Sequence, residues 1–182
     1  MKAIPTKKTV EHSPSGSAQE IRFKRILVPT DFSECAEYAL EYAVGLISLY
    51  RAEIFVLHVF YLQEYLSLMS EKPDAGSKAA AEVLEAAKGR AISKLEDIVQ
   101  RLADKHAIAI PSLSIGVPFE EIVKYATEMD IDLIVMSTRG RAGLAHFLLG
   151  STTERVISHA NCPVLVVKQE QARTNRHNGR AN

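Results

Sequence analysis

The 182-residue chain has no tryptophan and only two cysteines, Cys35 and Cys162. Two thiols this far apart in sequence supply neither a disulfide framework nor the ligand set of a zinc site, and such sparing use of cysteine points to a reducing cytoplasm. Charge of one sign is also lacking. Lys+Arg and Asp+Glu both number 22, so there is no overall basic field of the kind that nucleic-acid binding draws on. No apolar run is long enough to cross a bilayer, and Lys2, Lys7 and Lys8 are followed by polar residues, not by the apolar core of a secretory signal. The Gly-x-x-x-x-Gly-Lys-Ser/Thr phosphate loop is missing, and no base, nucleophile and orienting group gather into a recognisable catalytic set. These absences argue against nucleic-acid, membrane and dedicated NTPase functions. What remains is an ordinary globular composition, 47% hydrophobic and 24% charged, in a chain long enough to bury one core without staples.

Residues 1–21 contain Pro5, Pro14, Gly16 and closely spaced serines without hydrophobic periodicity, which reads as a disordered leader. Residues 169–182 look similar; Arg173, Arg176 and Arg180 outweigh Glu170, giving a mildly basic tail whose simplest reading is a solvated end. The domain is then 22–168, where strand and helix patterns alternate. Arg25 to Thr30 is a largely apolar strand, and Ser33 is placed to cap a helix with Ala36, Leu40, Ala43, Val44 and Ile47 on its inner face. Glu53 to Phe60 is a second buried strand. After a linker with Pro73 and Gly76 comes a long helix with Leu84, Ala91, Leu95, Ile98 and Leu102 on one stripe. Ala107 to Ile115 is a third strand that Pro111 assigns to a sheet edge, because proline cannot donate to a ladder. Phe119 to Glu128 is helix, Leu133 to Met136 strand, Thr152 to His159 helix and Val164 to Val167 strand. Alternation of this kind predicts an α/β fold, a Rossmann-like open parallel sheet with helices on both faces.

Sheets of this type bind ligands beyond the carboxyl ends of their strands, where strand order reverses. Two stretches carry suitable chemistry there. One is Pro29-Thr30-Asp31 after the first strand. The other runs from Ser137-Thr138-Arg139-Gly140 through nine residues to Gly150-Ser151-Thr152-Thr153 at the start of a helix. Glycines permit close backbone approach and a helix N-terminus offers unpaired N–H groups with partial positive charge, so the second stretch suits phosphate.

Taken as an ordered set, these pieces resemble the universal stress protein family. The resemblance rests on Ile26-Leu27-Val28-Pro29-Thr30-Asp31-Phe32-Ser33 with Ala36 and Ala39-Leu40; on Leu57-His58-Val59; on Gly116-Val117-Pro118; and on Gly140, nine residues, Gly150-Ser151, ending in Cys162-Pro163-Val164-Leu165-Val166-Val167. It implies a five-stranded parallel sheet in the order 3-2-1-4-5 and a homodimer, for which the uncharged edge Val164 to Val167 is the expected seam. In the nucleotide-binding branch it implies ATP at the switch point. Pro29, Thr30, Asp31, Val59 and Met136 would then surround adenine and ribose, while Arg139, Gly140, Gly150, Ser151, Thr152 and Thr153 hold the phosphates. Mg²⁺ or Mn²⁺ would be bound mainly through those phosphates. The chain departs from that branch's pattern at Ser137, where the pattern has glycine; its Cβ and hydroxyl would either crowd the ligand or donate to it.

Each of these residues also has a plainer use. Asp31 and Ser33 suit a turn and a helix cap, Ser151 and Glu154 have the spacing of a capping box, and Arg139 and Arg141 suit exposed loop charges. His58 in a buried strand reads as a satisfied core histidine, His146 among Leu144, Phe147, Leu148 and Leu149 as packing or dimer surface, and Cys35 as an inert thiol. The expected function is an ATP-binding regulatory module of the stress response, read out by a partner once nucleotide orders the loop from Ser137 to Gly150. The alternatives are a slow ATP hydrolase and a dimeric interaction protein that has lost its nucleotide.

Overall fold

The computed structural model describes residues 21–61, 77–138 and 149–168. The elements run β1 (Arg25–Thr30), α1 (Glu34–Tyr50), β2 (Glu53–Phe60), α2 (Lys78–Ala103), β3 (Ala109–Ile115), α3 (Pro118–Glu128), β4 (Leu133–Ser137), α4 (Ser151–His159) and β5 (Val164–Val167). All strand pairs are parallel, and the five-stranded sheet has the order β3-β2-β1-β4-β5. The expected leader and tail, 1–20 and 169–182, lie outside the described residues, as does nearly all of the segment from Tyr61 to Ser77.

Burial on both faces makes the strands nearly continuous apolar runs, and two cores result. Ile26, Val28, Ile54, Val56 and Val135 pack under α1 and α2 with Ala39, Leu40, Ala43, Leu95 and Ile98. Leu27, Phe55, Leu57, Ile134 and Met136 pack under α3 and α4 with Ile122, Ala126 and Val156. Each large aliphatic side chain sealed here contributes roughly 1.5–3 kcal/mol by leaving water. The long-helix stripe is as expected at Ala91, Leu95, Ile98 and Leu102, with Ala87 in the buried set and Leu84 half-buried.

The fourth strand runs one residue further than expected, to Ser137, and three other boundaries differ from the sequence expectation, each for a local reason. The third strand starts at Ala109, not Ala107, because the Ala107 N–H turns back to the Leu102 carbonyl at 3.0 Å and closes the end of α2. The helix after β3 begins on Pro118, whose fixed φ and missing N–H suit a first helical position. The last helix begins at Ser151 with Gly150 as its N-cap. Ser151 is therefore inside the helix, and the expected capping box with Glu154 is one position out of register.

Backbone N–H and C=O groups of one residue point to the same side of a strand and alternate along it, so a few hydrogen bonds fix which residues face which neighbour. In β3, the Ile108 carbonyl accepts from Ile54 and the Gly116 N–H donates to Phe60. Even-numbered residues thus face β2, and Pro111 lies in the outward row of an edge strand, where its missing donor costs no ladder bond. In β1, the Lys24 carbonyl serves Glu53 on the β2 side, whereas the Arg25 carbonyl accepts from Asp132 on the β4 side. Odd-numbered residues of β1 therefore face β4. Pro29 is one of them.

Candidate nucleotide site

The strand order reverses between β1 and β4: α1 leaves β1 over one face of the sheet, and the chain after β4 returns as α4 on the other. The β1–β2 ladder runs to Thr30↔His58. The recorded β1–β4 ladder comprises Ile26↔Leu133 and Leu27↔Ile134. Pro29 explains the difference, because the next rung would need the N–H it lacks. β1 and β4 run on to Thr30 and Ser137, and the switch point outside these carboxyl ends is where sheets of this type take a ligand.

One wall is the turn after β1. The Thr30 hydroxyl accepts from the Phe32 N–H at 3.0 Å, Asp31 Oδ1 accepts from the Ser33 N–H at 3.0 Å, and the Ser33 hydroxyl caps α1 by accepting from Ala36 at 3.2 Å. Asp31 therefore fills the turn role that its sequence suggested. Phe32 is held at φ 63°, a left-handed conformation costly for an aromatic residue. Its ring lies 4.3 Å from that of His58, and Lys94 Nζ sits 5.1 Å from its centroid on the side chain of α2. His58 is buried, with Nδ1 2.7 Å from the Thr30 carbonyl. A carbonyl only accepts, so Nδ1 carries the proton, as a satisfied core histidine requires. Phe32 was not singled out in the sequence; the strained turn and the ring stack give it a shaping role.

The other wall is the end of β4 and the start of α4. The Gly150 N–H donates to the Thr138 carbonyl at 2.8 Å and the Thr153 hydroxyl to the Ser137 carbonyl at 3.0 Å, so the two ends of the chain segment between them are pinned together. Gly150 has no side chain to cap α4, and Glu154 is the first residue of the helix whose N–H finds a helical carbonyl, that of Gly150. The N–H groups of Ser151, Thr152 and Thr153 are those a helix leaves without an internal partner. Among the described residues none of them has a recorded acceptor, and the helix dipole gives the group partial positive charge.

The structure thus gathers Pro29, Thr30 and Asp31 at one wall, and Met136, Ser137, Gly150, Ser151, Thr152 and Thr153 at the other. Val59 lies at the end of β2; it and Met136 belong to the core beneath α3 and α4. Arg139 and Gly140 lie outside the described residues, as do Arg141, Leu144, His146, Phe147 and Leu148. Thr153 is only 3% exposed and Ser137 9%, so both support the wall from within more than they line it. Among the described residues no group of three or more His, Cys, Asp or Glu could hold a metal ion, and no helix is long and apolar enough to cross a membrane. Both cysteines are half-buried. Burial, and then the charge of Asp132, push the Cys162 thiol up, so it is protonated at neutral pH and a poor nucleophile.

Comparison with known proteins agrees with this architecture. The model of the family described as "Universal stress protein family" matches residues 22–168. Universal stress protein MJ0577 of Methanocaldococcus jannaschii is 36% identical over 164 residues, covering 84% of this chain and 99% of that protein. MJ0531 of the same organism is also 36% identical, over 81% of this chain and 83% of that protein. The solved structure of MJ0577 superimposes with a TM-score of 0.72 over 84% of this chain and all of that one. UspA from Lactobacillus plantarum does so with a TM-score of 0.69 at 29% identity, over 81% and 99%. The fold is shared with a universal stress protein from Archaeoglobus fulgidus solved in complex with dAMP, at 24% identity and a TM-score of 0.55.

Proposed function

The chain belongs to the universal stress protein family, and from that premise we propose that it is an adenine-nucleotide-binding regulatory module with ATP as its ligand. The observation that carries the reading is the switch point between β1 and β4, with Asp31 at the end of β1 on one side and the N-terminus of α4, which has no side-chain cap, on the other. A nucleotide presents complementary chemistry between the two. Its ribose hydroxyls donate to the Asp31 carboxylate, its base lies against Pro29, Thr30, Val59 and Met136, and its phosphates accept from the backbone of Ser151 and Thr152, with Arg139 and Gly140 completing the loop side. Gly150, at φ −65° and ψ 146°, has a backbone any residue adopts, so its value here is the missing side chain, which lets phosphate come close. Mg²⁺ or Mn²⁺ would enter on the phosphates. Among the described residues no side chains here form a base and nucleophile pair; we take the module to act by binding, with hydrolysis at most slow.

The module works as a homodimer in a reducing cytoplasm, joined along β5. The Pro163 carbonyl accepts from Ile134 and the Val167 carbonyl from Thr138. Odd-numbered residues of β5 therefore face β4, and Val164 and Val166 turn their N–H and C=O groups to the open edge. The opposite edge of the sheet carries Pro111 in its outward row. A second copy about a two-fold axis is the simplest cover for the β5 edge. A second reading, a dimeric interaction protein without nucleotide, is favoured by Ser137 alone. Mass spectrometry of the denatured purified protein, with titration of the refolded protein by Mg²⁺-ATP, decides between them. Co-purified adenine nucleotide or micromolar binding supports the module, and neither leaves the interaction protein.

A further inference from the structure

In β4, Ile134 and Thr138 donate to Pro163 and Val167 of β5, so even-numbered residues face β5 and Ser137 faces β1. The Thr153 hydroxyl donates to the Ser137 carbonyl at 3.0 Å, from a residue 3% exposed. Thr153 belongs to the first turn of α4, the same turn whose N–H groups stand at the switch point.

We infer that Thr153 is a positioning residue for phosphate: its buried hydroxyl, tied to the end of β4, sets the first turn of α4 at the distance and angle phosphate binding needs. This rests on the nucleotide reading above and changes one part of it, since the Thr153 side chain is turned into the protein and only its backbone serves the ligand. Valine keeps the shape and removes the donor. Serine keeps the donor and removes a methyl group. The bond lies between the phosphate wall and the sheet, not between the nucleoside wall and the sheet, so its loss is felt by phosphates and not by adenosine.

The test is titration of wild type, Thr153→Val, Thr153→Ser and Thr153→Ala with Mg²⁺-ATP and separately with adenosine, with thermal melts of each. Thr153→Val is expected to lose about fivefold or more in ATP affinity, the worth of one hydrogen bond, while adenosine affinity stays within about twofold, and Thr153→Ser is expected to recover ATP binding. If Thr153→Val does not fold, the comparison of Thr153→Ala with Thr153→Ser reads the same contrast. An equal loss for both ligands, or a lower melting temperature with unchanged ATP affinity, makes Thr153 a stability residue only and overturns the inference. Wild type that binds neither ligand defeats the nucleotide reading itself, and the inference with it.

Discussion

Asp31 and Ser33 are adjacent parts of one turn, and substituting each separates anchoring of the ligand from capping of the helix. Ser33 accepts from Ala36 at 3.2 Å and Asp31 from Ser33 at 3.0 Å. Removing a serine cap costs about 1 kcal/mol, and removing the Asp31 acceptor from its turn costs a similar amount. In a chain of this size that lowers the melting temperature by roughly 2–4 °C for either Ser33→Ala or Asp31→Ala. Binding should part the two. A hydrogen bond from a ribose hydroxyl to an ionised carboxylate is worth about 1.5–3 kcal/mol, which converts to a loss of roughly 10- to 150-fold in ATP affinity for Asp31→Ala. Ser33→Ala should leave affinity within about twofold, since its hydroxyl is committed to α1. Isothermal titration with Mg²⁺-ATP beside thermal melts measures both quantities. Equal affinity in the two variants would refute the placement of ribose at Asp31, whatever their stability.

Gly150→Val should fold, because the Gly150 backbone suits any residue, yet lose at least about tenfold in ATP affinity as its branched side chain holds phosphate off the helix; unchanged titration argues against phosphate at α4. Ser137→Gly should strengthen ATP binding or leave it unchanged, and a clear drop would mean that the Ser137 hydroxyl donates to the ligand. Val166→Pro removes a donor from the outward edge of β5 without touching the β4 ladder, and light scattering after size exclusion should show monomer where wild type is dimer. A wild-type monomer at high micromolar concentration would defeat the dimer outright. Alkylation of Cys162 should be slow at neutral pH and accelerate only above the ordinary thiol range, in line with its burial and the nearby Asp132 charge.

The fold was legible because burial on both faces of a parallel sheet writes itself as apolar runs, and the helices between them as stripes. Arg25 to Thr30, Glu53 to Phe60 and Val164 to Val167 fall where those runs predict. The ends of helices were harder. Arg51, His106 and Asp130 all take positive φ, at 54°, 58° and 48°, at or just beyond the ends of α1, α2 and α3. A search for glycine as the stop signal misses all three, since other residues can take this conformation when tertiary contacts repay roughly 1–2 kcal/mol of strain. Within the candidate site, residue types and strand ends were legible from Asp31 and Gly150. The side-chain directions were not: nothing in the spacing says that Thr153 turns inward to Ser137, or that Phe32 lies over His58.

Three prolines show how one residue property acts differently by its place in the sheet. Pro111 faces outward on β3 and leaves that edge short of one donor, which weakens it as a template for another strand. Pro163 faces β4 just before β5, where only its carbonyl is needed, and it receives Ile134. Pro29 is the unusual case. β1 is the middle strand of five, a position that ordinarily excludes proline because both neighbours need donors. It is tolerated here because its missing N–H points at β4 one residue before β1 ends, where little of the ladder is left to lose. The same covalent feature that would break a ladder in mid-strand therefore costs β1 little beside the turn that Thr30, Asp31 and Ser33 make into α1.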